Sequence, residues 1–374
     1  MKRWGVYRAL LPLIPCRGRV NESTLPGDVT AAAEKILRRY RCVGAALTVW
    51  QDEKIIGSLS FGESRRGVRV TAGTAFRAAS VSKFVTALGA MKMAERGLNL
   101  DQDVNDFLPF SLRHPSAPQT PITLRLLLTH RAGIRDGQAY NAGIGRGEKL
   151  SSILAGDSFG DHTPGQGWEY SNLGAGIAGA VMEAALGTDF ETLMQETVFG
   201  PLGVKATYYP QRVEGTLADA YRVLPPHRRP NFDARARQRR PLPDPVPDAE
   251  RHYNLAHGNL CVTAENLARL GMAAMKPGFL TAESLQEMRA PVSPFTGRAD
   301  NLWQGIGTFI LRDESLCPRT LYGHQGLAYG AVHGLFFDPE TGGGYALLTS
   351  GASEARRGVL ADINADMIRL LLGR

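Results

Sequence analysis

Between residues 27 and 41, apolar Ala31, Ala32, Ile36 and Leu37 alternate at helical spacing with Arg38, Arg39 and Arg41, which predicts an amphipathic helix. The next stretch, VGAALTVWQDEKIIGSLSFGES, holds two β-rich runs about a polar turn and predicts a hairpin. Over 81–97 helical spacing returns, with Val81, Phe84, Leu88 and Met91 about one turn apart and Gly97 as the stop. A short helix is expected to start near Thr123 and end around Gly133, with further helices over 173–186 and 190–197. TAENLARLGMAAM predicts another, with Thr263 as its N-cap. From Gly305 the pattern turns to strands: GIGTFILRD, RTLYGHQG, GAVHGLFFDP and GYALLTSG, separated by turn residues. The final stretch, ARRGVLADINADMIRLLLGR, predicts a helix with an apolar stripe through Val359, Ile363, Met367 and Leu370.

This order predicts an α+β fold. An antiparallel sheet is assembled from residues 27–78 and 299–374, flanked by the terminal helices, and a mostly helical region, 79–298, is inserted between its halves. Residues 1–26 read as an N-terminal extension, and 27–374 as one domain. A chain of 374 residues is long enough for a full hydrophobic core. No stretch approaches the roughly 18–20 apolar residues of a membrane span.

The formal net charge is +7, which suits anionic substrates or surfaces. Much of the excess lies between Pro225 and Pro247, where six arginines face two aspartates and prolines punctuate the ends. That composition reads as a solvated loop; it lacks the interleaved aromatics of a nucleic-acid patch, so no nucleic-acid partner is expected. Cys16, Cys42, Cys261 and Cys317 match no zinc or redox spacing and are expected as free thiols. The first residues, MKRWGVYRALLPLIPCRGRV, carry two readings: a weak secretory or lipoprotein signal, or a retained extension. The apolar run is short and proline-broken, and Arg17 and Arg19 follow at once. The compartment therefore leans to the cytoplasm and stays open.

The chemistry centres on FRAASVSKFVTALG. Ser80 stands at the first turn of its helix, where free N–H groups and the helix dipole favour negative charge. Lys83, three residues on, shares its face, and a lysine in a dry cleft loses its proton readily enough to act as a base. Ser-x-x-Lys alone is a weak signal, and Ser80 equally fits a plain helix cap. Ser82 points about a hundred degrees away. Tyr170 and Asn172, in PGQGWEYSNLGAGIAG, stand between a glycine-rich loop and a helix of small residues, placed to enter a cleft side by side. His324, in LYGHQGLAYG, lies on a late strand with Gly323 and Gly326 beside it, where backbone can approach closely. It reads as a group that binds a substrate carboxylate or assists proton transfer, or as an ordinary strand-end histidine.

In this order, Ser80-Val81-Ser82-Lys83, Tyr170-Ser171-Asn172 and His324-Gln325-Gly326 resemble the three motifs of the serine β-lactamase and penicillin-binding protein superfamily. The middle motif is similar to that of the class C β-lactamase, D-alanyl-D-alanine carboxypeptidase and family VIII esterase branch. TLRLLLTHRAGI and NLAHGNLCVTAENLARL resemble further segments of it, and the resemblance runs from about residue 28 to 372. It implies a β-lactamase/transpeptidase-like fold. It further implies Ser80 as the acylated nucleophile, Lys83 as its base or relay, and Tyr170 as partner base and leaving-group acid. Asn172 would hold Lys83 and the substrate amide, and the N–H groups of Ser80 and Leu327 would form the oxyanion hole. His324, Gln325 and Gly326 would line the substrate site.

One departure matters. β-Lactamases of this branch usually carry Lys-Thr-Gly as the third motif, and the His-x-Gly here is more similar to carboxypeptidases, D-aminopeptidases and some esterases. A neutral histidine holds a carboxylate less firmly than a lysine, and Gln325 serves the cleft only if it faces it. The expectation is a metal-free, cofactor-free serine hydrolase acting through an acyl-enzyme on a small molecule or peptide: a D-amino-acid peptide or amide, or a small ester, ahead of a β-lactam. The alternatives are a true β-lactamase and a non-catalytic receptor for cell-wall peptides or penicillins. Tyr140, Trp168 and Tyr329 are expected near the cleft. Ser158 in GDSFG lacks the strand–turn–helix context of a nucleophile elbow. GIGRGEK lacks the strand and the Ser or Thr of a phosphate loop. The oligomeric state is not set by the sequence.

Overall fold

The computed structural model describes residues 2–144, 147–154, 157–224, 227–230, 242, 244–295 and 299–373. Most of the arginine-rich loop, and Gly145 and Arg146 of GIGRGEK, lie outside these residues. At the centre is an antiparallel sheet. Its strands run in the order Val20–Ser23, Lys54–Arg65, Gly44–Gln51, Gly343–Thr349, Ala331–Asp338, Leu321–Ala328, Phe309–Leu311, Ala299–Gln304 and Ser293–Phe295. The junction between the chain's two ends is the pairing of Gly44–Gln51 with Gly343–Thr349, in register from Ala45 opposite Thr349 to Gln51 opposite Gly343.

Alternation along these strands fills two cores. Ala45, Leu47, Val49, Phe336, Tyr345 and Leu347 face one layer; Ala46, Trp50, Leu335, Phe337, Ala346 and Leu348 face the other. With both faces covered, the strands read as near-continuous apolar runs, which is why they were conspicuous in the sequence. The first layer is closed by the helices Gly27–Arg39 and Asp362–Leu371. The second is the helical region, centred on the helix Val81–Glu95, which is buried all round from Val81 to Met91. Thr123 caps the helix Leu124–Leu128 through the Leu126 N–H, and Thr263 caps Ala264–Met272 through the Asn266 N–H.

Three expectations need correction. The last helix begins at Asp362, not near Ala355, because Arg356–Arg357 and Leu360–Ala361 form a small hairpin turning at Gly358 with φ +64°. Val359 therefore belongs to that turn and not to the helical stripe. The sheet also recruits the polar edge strand Val20–Ser23 and the strand Ser293–Phe295 at its other edge, both outside the expected segments. The helix expected over 190–197 is Phe190–Met194 followed by a wider π turn, Gln195–Phe199. None of the four cysteines forms a disulfide. Among the described residues no helix is long and apolar enough to cross a membrane.

Candidate active site

Ser80 stands on a tight turn. Ala79, just before it, has φ +50°, a conformation that costs a non-glycine residue about 1 kcal/mol or more. The surroundings over-determine it: the Ala78 N–H donates to the Leu260 carbonyl (2.7 Å) and the Val81 N–H to the Ala78 carbonyl (3.2 Å). Ser82 Oγ donates to the Ala79 carbonyl (2.7 Å) and accepts from the Leu260 N–H (3.2 Å), so Ser82 is buried scaffold. Gly326 completes the turn from the strand side. A Cβ there would lie 2.5 Å from the Ala78 carbonyl oxygen, so only glycine lets Leu321–Ala328 approach the serine this closely.

Lys83 is 3% exposed. Its Nζ lies 3.2 Å from Ser80 Oγ and donates to Asn172 Oδ1 (2.7 Å) and to the His257 carbonyl (2.8 Å). Burial lowers its ammonium to about 7, against the raising influence of Asp136. A neutral amine has two hydrogens and one lone pair. The two carbonyl acceptors take the hydrogens, which leaves the lone pair facing Ser80 Oγ.

Asp136 fixes this orientation. Asn172 Nδ2 donates to Asp136 Oδ2 (2.7 Å), so the amide must present Oδ1 to the lysine. Asp136 Oδ1 in turn accepts from the Leu173 N–H (2.9 Å) and Ser171 Oγ (3.1 Å), at the start of the helix Asn172–Leu186. Ser171 Oγ also caps that helix through the Gly174 N–H (2.9 Å).

Tyr170 is hydrogen-bonded to the Ser80 side chain, and its ring faces Lys83 Nζ at 5.1 Å from the centroid. Burial raises its phenol well above the usual value, so the hydroxyl keeps its proton. His130, with φ +58°, packs against the Tyr170 ring at 4.5 Å between centroids. Its Nδ1 accepts from the Ser171 N–H (3.2 Å), and burial holds the ring neutral, well below the usual histidine range.

The third motif departs from expectation. His324 is 1% exposed, stacks on Phe309 at 4.1 Å and lines the cleft. Its Nδ1 donates to the Gln325 carbonyl (2.6 Å), which leaves Nε2 as a buried lone pair without a protein partner. Burial, with Lys83 nearby, lowers the ring to about 3. A neutral acceptor meets an N–H or O–H of a substrate and repels a carboxylate, so the carboxylate role does not suit it. Gln325 does not serve the cleft with its amide. Nε2 donates to the Val359 carbonyl (2.7 Å) and Oε1 accepts from the Ala361 N–H (3.0 Å) and Asn364 Nδ2 (3.3 Å), tying the strand to the terminal helix.

These groups open onto a cavity of about 790 Å³ whose wall includes Ser80, Tyr140, Tyr170, Asn172, His324, Leu327 and Tyr329. Tyr140 reaches His257 Nε2 at 3.3 Å, behind the carbonyl that holds Lys83. Trp168 is not part of this wall; it packs edge-on to His130. A smaller chamber of about 250 Å³ shares Arg77, Ala79, Ile144, Ala328 and Tyr329 with the cleft and continues past Phe76, Tyr208 and Leu255. Ser158 is elsewhere: fully buried, its Oγ donates to the Ile153 carbonyl (2.6 Å). Sequence reasoning missed Asp136, 36 residues from Asn172 and in no motif. It missed His130 as a site residue, although the HRAG it opens was already conspicuous.

The family profile described as Beta-lactamase matches residues 29–367. The chain belongs to the β-lactamase family. This family member is 28% identical over 346 residues to penicillin-binding protein 4 of Amycolatopsis lactamdurans, covering 88% of this chain and 85% of the relative. It is 30% identical over 211 residues to esterase EstB of Burkholderia gladioli, covering 52% of this chain and 54% of that one, so the match spans about half of each. Among solved structures, EstCE1, described as a hydrolase with promiscuous acyltransferase activity, superposes with a TM-score of 0.73 over 91% of this chain and 97% of the other at 24% identity. The D-amino acid amidase of Ochrobactrum anthropi SV3 superposes with a TM-score of 0.71 at 23% identity, over 92% of this chain and 97% of the other. These last two likenesses establish the fold. With its family placement, this β-lactamase-family chain is a serine hydrolase.

Proposed function

We propose that this hydrolase cleaves small esters or amides, D-amino-acid amides and peptides included, through an acyl-enzyme on Ser80. The observation that carries the reading is the meeting of Ser80, Lys83, Tyr170 and Asn172, drawn from distant parts of the chain, within bonding reach. Ser80 Oγ attacks the substrate carbonyl carbon while its proton passes to the Lys83 lone pair. The oxyanion is received by the N–H groups of Ser80 and Leu327, each such donor being worth roughly 10²–10³ in rate. Because the Tyr170 phenol holds its proton, it acts as acid toward the leaving group and takes a proton back from Lys83, rather than serving as a standing base. Water then attacks the acyl carbon along the same proton route and frees Ser80.

Esters and amides rank ahead of β-lactams because the third motif offers a neutral histidine and no lysine, and the Gln325 amide is turned away. The printed names of the relatives, an esterase, a D-amino acid amidase and a penicillin-binding protein, support the same acyl-transfer class. A panel of p-nitrophenyl esters, D-amino-acid amides, D-Ala-D-Ala peptides and nitrocefin tests the ranking. Turnover is expected on esters or amides, with nitrocefin slowest; rapid nitrocefin hydrolysis would reverse the order. Failure of every acylating probe to react would return the chain to the binding-protein reading.

A further inference from the structure

The first helix of the chain, Lys2–Leu10, and the turn after it, Leu11–Leu13, lie on the surface of the domain. One face is spent on the protein. The Tyr7 hydroxyl donates to the Val223 carbonyl (2.6 Å), and Leu11 and Ile14 are buried against Val223 on the strand Tyr221–Leu224. Arg8 forks onto Asp362, the first residue of the terminal helix, with Nε–Oδ2 at 2.7 Å and Nη2–Oδ1 at 3.0 Å. The Arg356 guanidinium lies over the Trp4 ring at 5.8 Å.

The other face turns to solvent, and it is apolar too. Val6, Leu10 and Leu13 recur at the spacing of one helical face and are 63%, 42% and 63% exposed. Ala9 and Pro12 are exposed between them, and no exposed residue from Trp4 to Pro15 is polar. A surface helix ordinarily presents charged residues outward, so one that is apolar on both faces has a second apolar environment to meet. Leu224, 48% exposed, follows Val223 on the strand that holds the helix.

The charge along this segment has one sign. Lys2, Arg3, Arg8, Arg17 and Arg19 all precede the first acidic residue, Glu22. Arg8 is spent on Asp362, whereas Arg17 and Arg19 are exposed. The strand Tyr221–Leu224 pairs with His227–Pro230, Arg222 opposite Arg229 and Val223 opposite Arg228, so further arginines stand on the hairpin that carries the helix. The outward face has no aromatic anchor and no hydrogen-bonding group to fix a register, which a specific protein partner would need. A lipid surface needs only apolar side chains flanked by cations.

We propose that this face docks on an anionic bilayer, with Val6, Leu10 and Leu13 entering the acyl boundary and Arg17 and Arg19 resting among the headgroups. At about 1.5 Å per residue the helix is far shorter than the roughly 30 Å hydrocarbon core, so it lies in the interface and does not span it. Arg222, on the same hairpin, lines the Ser80 cleft, so docking brings the mouth of the cleft near the lipid. The inference does not depend on which residue is the nucleophile.

The test is co-sedimentation of the full-length chain with vesicles of phosphatidylglycerol and phosphatidylcholine, and with vesicles of phosphatidylcholine alone. The wild-type protein is expected to bind the anionic vesicles, to bind the neutral ones more weakly, and to lose the difference as salt rises. The triple variant Val6→Ser/Leu10→Ser/Leu13→Ser should lower the partition onto anionic vesicles roughly tenfold or more. Its turnover of p-nitrophenyl acetate and its Tm should match the wild type, because the three side chains face solvent. Arg17→Gln/Arg19→Gln should lower the partition by a similar factor, on anionic vesicles only. A wild-type protein that stays in the supernatant, that binds both vesicle types equally, or that the triple variant matches in binding, overturns the proposal. So does light scattering that finds a wild-type dimer and a monomeric triple variant, which would assign the face to a second copy of the chain.

Discussion

At the scale of single residues, the account turns on the protonation of Lys83. Its lowered value, about 7, means that the basic form grows as pH climbs through neutrality. For ester hydrolysis, kcat/KM should therefore rise about tenfold per pH unit on the acid side and level off above that point. Tyr170, raised by burial, adds no alkaline fall until well above neutrality. Asp136 raises Lys83, so Asp136→Asn should move the acid limb to lower pH, while kcat falls because Asn172 loses its anchor. Lys83→Met should cost roughly 10²–10⁴ in rate. A pH–rate profile flat from about 5 to 9 would contradict the assignment of the base. Ser80, Lys83, Tyr170 and Asn172 were legible because each sits in a short motif with local structural meaning. Asp136 was not, since its value comes from partners 35 to 37 residues away. His324 was legible in place but not in protonation, which depends on burial that no local pattern reports.

At the scale of elements, the site depends on one strand lying against the nucleophile turn. Gly326→Ala would place a methyl 2.5 Å from the Ala78 carbonyl oxygen and 3.2 Å from Ala79 Cβ. The strand or the turn must then withdraw. The expected result is a folded protein destabilised by about 1–3 kcal/mol with kcat reduced by up to about 10²-fold. Thermal unfolding and steady-state kinetics measured together check it; wild-type kcat in a folded variant would show that the close approach is not needed. Element boundaries were legible where a cap or periodic stripe marked them, as at Thr123 and Thr263. They were missed where tertiary pairing decided. Gly358 makes a hairpin out of what read as the first turns of a helix, and Val20–Ser23 becomes a strand only by pairing with Leu59–Phe61.

At the scale of the whole molecule, the two ends of the chain build one sheet, and the helical region between them brings the Ser80 turn against its strand Leu321–Ala328. The order of three motifs, more than any one of them, made the architecture readable. The docking of Tyr7 on Val223 and of Arg8 on Asp362 was not legible, because these partners lie more than 200 residues away. The central claim is that this assembly makes Ser80 an acyl-accepting nucleophile. Intact-protein and peptide mass spectrometry after exposure to a fluorophosphonate tests it most directly. The account predicts one adduct per chain, located on the peptide containing Ser80 and absent from Ser80→Ala. An adduct on any other residue, or one retained in Ser80→Ala, would contradict it.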